Sequence, residues 1–184
     1  MKLLKQLIPM IGICLLAFNC MAASKNKSDT VTQPSEDETS TKPHAQLYSA
    51  QMQTPGPTSV VTLEKVDNSQ QIQYSHGKVT VDEPGLYFVM AAAQVGDVES
   101  KEKEGYVNLW LAHNGKNIAN SNTRSTIKNN STTVLVSQSV MQLQAHDSVS
   151  VNFSSNDSSL GLVAIPANGS EPAIPSIIFT IYKI

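Results

Sequence analysis

An all-β fold, in the form of an antiparallel jelly-roll β-sandwich, is predicted by three features of this 184-residue sequence. From Ala45 onward the chain consists of short runs rich in Val, Ile, Tyr, Thr and Ser, types that suit a pleated, half-buried surface. Gly, Pro, Asn and Asp separate the runs, and no long stretch repeats apolar residues at helical spacing. Both cysteines, Cys14 and Cys20, precede the domain, so hydrophobic burial and hydrogen bonding must hold it together without a disulfide framework.

The chain begins with Lys2 and Lys5, continues through an apolar run from Leu7 to Phe18, and reaches small residues at Ala22 and Ala23. This three-part layout is that of a secretory signal peptide, expected over residues 1–23, and the apolar run is too short to span a bilayer comfortably. Acylation of Cys20 is the alternative, although Phe18 and Asn19 stand where a lipoprotein signal places small residues. Removing the segment takes the formal charge from -2 to -2 - 2 = -4, a balance that gives no reason to expect nucleic acid or an anionic membrane as partner. Residues 24–44 carry no large apolar residue beyond Val31. They read as a disordered polar linker, spanning roughly 25 Å as a flexible coil.

Strands are expected at Gln46–Gln53, Ser59–Glu64, Gln71–Tyr74, Gly77–Val81, Gly85–Val95, Gly105–His113, Thr132–Leu143, Ser148–Ser154, Leu160–Ile165 and Ser176–Lys183. Asn114-Gly115 separates two strand-like runs with residues that accept positive φ, the chemistry of a tight hairpin turn. Asp82-Glu83-Pro84-Gly85 closes one strand and opens the next. Many short strands at this spacing make a sandwich, with the jelly roll as the specific form.

Taken in order, these pieces resemble the globular head of the complement C1q and tumour necrosis factor superfamily over residues 45–184. Ala45-Gln46-Leu47-Tyr48-Ser49-Ala50 is similar to its first-strand pattern, and Gly77–Tyr87 (GKVTVDEPGLY) to its G-K-F-T-x-P-x-x-G-x-Y stretch. Val107–Lys116 resembles the hydrophobic strand that leads into a K-N-G turn, Leu143–Val149 the L-x-x-G-D-x-V turn, and Ser176–Ile184 the final strand. The sequence departs from the family at His146 and Thr180, which replace glycines, and at Val89, which replaces an aromatic. The resemblance implies a non-catalytic domain that assembles as a homotrimer, and calcium near the trimer axis in several members.

Chemistry-bearing residues give little by themselves. His44, His76, His113 and His146 are dispersed without metal-ligand spacing. His146-Asp147 has no G-x-S-x-G elbow to supply a nucleophile. Asp97–Glu104 alternates charge in the manner of a solvated loop. No cofactor is expected; Asp82, Glu83, Asn156 and Asp157 are weak calcium candidates, and turn chemistry accounts for them without an ion. Lone Trp110 lies between Leu109 and Leu111 and is expected in the core. Asn-X-Ser/Thr triplets at Asn129, Asn152, Asn156 and Asn168 are common in so Asn- and Ser-rich a chain and carry little weight.

Both faces of Gly85–Val95 and of the final strand are apolar, whereas a strand with one wet face should alternate. A second cover is therefore expected, supplied by two further copies of the chain. Tyr87, Val89, Ile178 and Tyr182 are the expected trimer-interface residues, on the reasoning that the bulkier opposite faces fill the sandwich. Asn122, Arg124, Asn168 and Glu171, in the exposed segments 120–130 and 166–172, are the expected ligand-loop residues. The functional expectation is an exported recognition or adhesion module, a trimeric head for a protein or glycan ligand. The alternatives are a structural surface or matrix protein whose oligomer is the function, then a lipid-anchored form, then an enzyme.

Overall fold

The computed structural model describes residues 42–56, 59–128 and 131–184; the expected signal peptide, and all but the last three residues of the expected linker, lie outside them. Among the described residues, twelve strands form two six-stranded antiparallel sheets. They are β1 (His44–Ser49), β2 (Lys65–Gln70), β3 (Ile72–Ser75), β4 (Lys78–Val81), β5 (Gly85–Asp97) and β6 (Gly105–His113), followed by β7 (Lys116–Asn117), β8 (Thr123–Ile127), β9 (Thr133–Leu143), β10 (Ser148–Ser155), β11 (Leu160–Leu162) and β12 (Ile177–Lys183). No described residue is helical.

In the first sheet β5 is central. β9 pairs along one edge from Gly85 to Val95, and the other edge is shared end to end by β12, over Tyr87–Ala93, and β11, over Val95–Asp97. Beyond β12 lie β1 and then β2. The second sheet runs β3, β4, β10, β6, with β8 and β7 sharing the outer edge of β6. Inward positions alternate along each strand: Tyr87, Val89, Ala91 and Ala93 of β5, with Leu47, Phe179 and Ile181, meet Val107, Leu109, Leu111, Val151 and Phe153. Each of these is almost fully buried, and they form one contiguous core.

Backbone conformation at the turns follows residue type. Asn114 and Gly115 have φ of 48° and 76°, as a tight hairpin between β6 and β7 requires. His146, at the position of a family glycine, has φ of 68°, which histidine accepts more readily than branched types. The Asp97 carboxylate accepts the main-chain N–H groups of Glu99, Lys101 and Lys103 and so folds the charged loop between β5 and β6.

Several expected boundaries move. β1 begins at His44, one residue ahead of the expected domain start, with the Pro43 carbonyl accepting from Lys183 N–H. Ser59–Glu64 is no continuous strand: Val60 makes an isolated bridge to Asn152, while Val61 and Leu63 are buried. Three strands, β2, the two-residue β7 and β8, fall outside the expected ones. β2 (KVDNSQ) is exposed along its whole length and is ordered through its backbone ladder with β1. β8 falls inside the segment expected to be a ligand loop.

Candidate recognition surfaces

Two apolar rows cross the outer face of the first sheet, on either side of a more polar row of Gln138, Met90, Thr180 and Gln46. The register sets Phe88 beside Tyr182 on β12 and Val140 on β9, and Ala92 beside Ile178 and Val136; Tyr48 of β1 continues the second row next to Ile178. Val140 keeps 55% of its surface exposed, Tyr182 43% and Leu86 43%. Rows of large exposed apolar side chains are uncommon on a monomer and are frequent at interaction surfaces.

At the far end of that face, a groove of about 890 Å³ lies between β1, β2 and a two-stranded arm, and is lined by Tyr48, Met52, Lys65, Ile165, Ile174 and Ile178. Reciprocal hydrogen bonds between Ile165 and Ile174, of 3.0 and 2.8 Å, build the arm. Asn168 and Glu171 exchange main-chain bonds of 3.2 and 3.0 Å at its tip. These two expected ligand residues thus sit on a braced, exposed arm beside an apolar groove.

The outer face of the second sheet is different. Outward-facing Tyr106, Asn108 and Trp110 alternate with buried Val107, Leu109 and Leu111 along β6. The Arg124 guanidinium lies 3.9 Å from the centre of the Tyr106 ring, and its Nε–H donates to Asn108 Oδ1 at 2.8 Å. Asn108 Nδ2 donates in turn to Ser154 Oγ at 3.0 Å, and the Trp110 Nε1–H to Asn117 Oδ1 at 2.9 Å. Asn122 is exposed just ahead of β8.

One further polar cluster joins two turns. Asp147 accepts from Gln144 N–H at 2.8 Å and Asn114 Nδ2 at 2.7 Å, and lies 2.9 Å from His113 Nε2. These contacts, the Gln144 N–H foremost, lower its carboxyl to about 2. Asn114 Oδ1 accepts from the main-chain N–H of Ser148 at 2.8 Å, so the cluster ties the β6–β7 turn to the start of β10.

No protein-family model and no curated protein matches the sequence. The globular domain of a zebrafish complement 1qA protein is similar in structure, with a TM-score of 0.53 and 16% identity, covering 78% of this chain and 97% of that one. The fold is that of a C1q globular domain. At this identity the likeness carries the architecture and not a ligand.

Within the C1q-like sandwich the expected interface residues divide. Ile178 and Tyr182 face outward, in keeping with their assignment to an outer face, but Tyr87 and Val89 are fully buried. The correction has a specific cause. The Tyr87 hydroxyl donates to the Glu83 carbonyl at 2.9 Å, which lets a large polar-tipped ring fill the core, and this register turns Leu86, Phe88 and Met90 outward instead. Burial, then the nearby charges of Glu83 and Asp82, pushes its phenol up, keeping it a neutral donor.

The calcium candidates are engaged in turns and ladders. Asp82 accepts from Gln73 Nε2, Glu83 pairs with Lys183 at 2.9 Å, Asn156 accepts from Tyr106 N–H and Asp157 from Ser159 N–H. Among the described residues no three His, Cys, Asp or Glu side chains gather as a metal-binding group. Trp110 is half-buried on the outer face rather than in the core. Arg124 belongs to a strand, not a loop, and its bond to Asn108 is the contact that sequence reasoning missed. The alternation of Tyr106, Asn108 and Trp110 with aliphatic residues was the available signal for the facing of that strand.

Proposed function

We propose that this chain is an exported, non-catalytic recognition module whose C1q-like domain works as a homotrimeric head for protein or glycan ligands. The observation that carries the reading is the exposed apolar rows on the outer face of β9, β5 and β12, one of them centred on Phe88 and Tyr182. Leaving such a face in water forfeits the burial free energy of several large side chains, about 25 cal/mol per Å². A ring of identical subunits covers it and leaves the opposite sheet facing solvent. Three copies of that opposite sheet then combine weak contacts by avidity. The His113–Asp147 pair supports a non-catalytic role, since its hydrogen bonds tie turns together.

The export part of the reading is supported by the three-part layout of residues 1–23. Sedimentation equilibrium of the full chain without the signal peptide, combined with a protein and glycan array, tests the proposal. A trimer with saturable binding is the expected result. A monomer at micromolar concentration overturns the trimeric head. A trimer that binds nothing and forms ordered higher assemblies favours a structural surface protein.

A further inference from the structure

The outer face of the second sheet carries the chain's one arginine and one tryptophan, Arg124 and Trp110. We infer that this face binds an acidic oligosaccharide, with Arg124 holding a carboxylate and Trp110 receiving a sugar ring farther along the saccharide chain. The inference rests on the reading of the chain as a recognition module and supplies its ligand class.

Arg124 is held in place before any ligand arrives. Tyr106 lies under its guanidinium at 3.9 Å. Asn108, with only 8% of its surface exposed, accepts from Nε at 2.8 Å, while its own amide is fixed by Ser154. A long side chain immobilised in this way loses little rotamer freedom on binding. The two Nη groups keep their donors, and among the described residues no carboxylate pairs with the guanidinium. A planar, fixed, unneutralised guanidinium matches a carboxylate in both shape and charge.

Trp110 follows two residues along β6, on the same face and diagonal to Arg124 across the β6–β8 pair. The guanidinium leans the other way, over Tyr106, four residues from Trp110 on β6, so the two groups lie about 13 Å apart at the rise of an extended strand, the span of about two or three sugar rings. The indole N–H is satisfied by Asn117, which leaves the half-exposed ring as a stacking surface. Asn152 stands opposite it on β10 and is half-buried, a neighbouring amide for hydroxyl groups. An apolar partner would need a cluster of exposed aliphatic side chains, and Val60 is the one such residue aligned with Trp110 and Asn152. Aromatic ring, amides and a fixed cation together select an acidic sugar.

Because Trp110 is the one tryptophan, its fluorescence in the full chain reports occupancy directly. The titration uses trigalacturonate and sialyllactose, with galactotriose and lactose as their neutral counterparts and acetate as a bare carboxylate. The expected result is a saturable change with at least one acidic sugar, at concentrations about tenfold or more below those of its neutral counterpart. Arg124→Gln weakens that binding about tenfold or more, as loss of a charge-assisted contact should, with the β-sheet circular dichroism unchanged. The inference is overturned if neither acidic sugar saturates, if the neutral sugars or acetate bind equally well, or if Arg124→Gln binds as the wild type does. Sedimentation of the same samples separates the two readings: a trimer without acidic-sugar binding sinks this inference alone, and binding by a monomer sinks the trimeric head alone.

Discussion

Phe88 and Tyr182 face each other across β5 and β12 on the outside of the first sheet, their ring centroids 5.3 Å apart and their planes tilted by 37°. Their chain neighbours Tyr87 and Ile181 point the other way and are fully buried. Alternation by single residues thus divides the strand pair between a core face and a second apolar face. Replacing Tyr182 with Glu places a charge on the outer face, where the monomer tolerates it and an interface does not. Tyr182→Glu is expected to sediment as a monomer with its β-sheet circular dichroism retained. A mutant that remains trimeric would move the interface elsewhere.

The opposite result is expected one residue from Phe88. Tyr87→Phe keeps the ring and removes the hydrogen bond to the Glu83 carbonyl, so urea unfolding should show a loss of about 1 kcal/mol. The oligomeric state should be unchanged. Dissociation without loss of stability would return Tyr87 to the interface.

Asp147 makes the fold acid-sensitive in a defined window. Its carboxyl is lowered from 3.8 to about 2 in the folded state, so the folded protein binds this proton less readily than the unfolded chain. The contribution to stability is therefore complete above about pH 4 and is lost as the pH falls towards 2. Asp147→Asn should be less stable than the wild type at pH 7, and the gap should narrow between pH 4 and pH 2. A gap that stays constant over that range would assign the acid sensitivity to other groups.

Gly161 lies where β11 meets the main chain at Gln53, and a Cβ there would collide with the Gln53 carbonyl. Two main-chain bonds between Gln53 and Leu162, of 2.9 and 2.8 Å, depend on that close approach. Gly161→Ala should cost about 1–3 kcal/mol through the forced backbone shift. Faster amide exchange at Leu162 should accompany it, and unchanged exchange there would sink the explanation.

Amino-terminal sequencing of the exported chain should find a start near Ala23, because Lys2, Lys5 and the apolar run to Phe18 have the layout of a cleaved signal. A lipid-modified Cys20 at the start would replace this with membrane anchoring through an acyl group.

The sequence by itself determined the sandwich, most of its strands and its sharpest turns, because these depend on local chemistry. Branched and aromatic runs favour extended backbone, Asn114-Gly115 accepts positive φ, and the doubly apolar pattern of β5 and β12 already pointed to apolar residues on the outer face as well as in the core. Facing and edge pairing were decided by the tertiary structure. Tyr87 turned inward because a turn carbonyl was in place for its hydroxyl, and polar β2 became a strand because β1 offered it a free edge. Arg124 gained its fixed position because β8 set it beside Asn108, sixteen residues away in sequence. None of these follows from residue type alone, since each depends on a partner group that folding brings from another part of the chain.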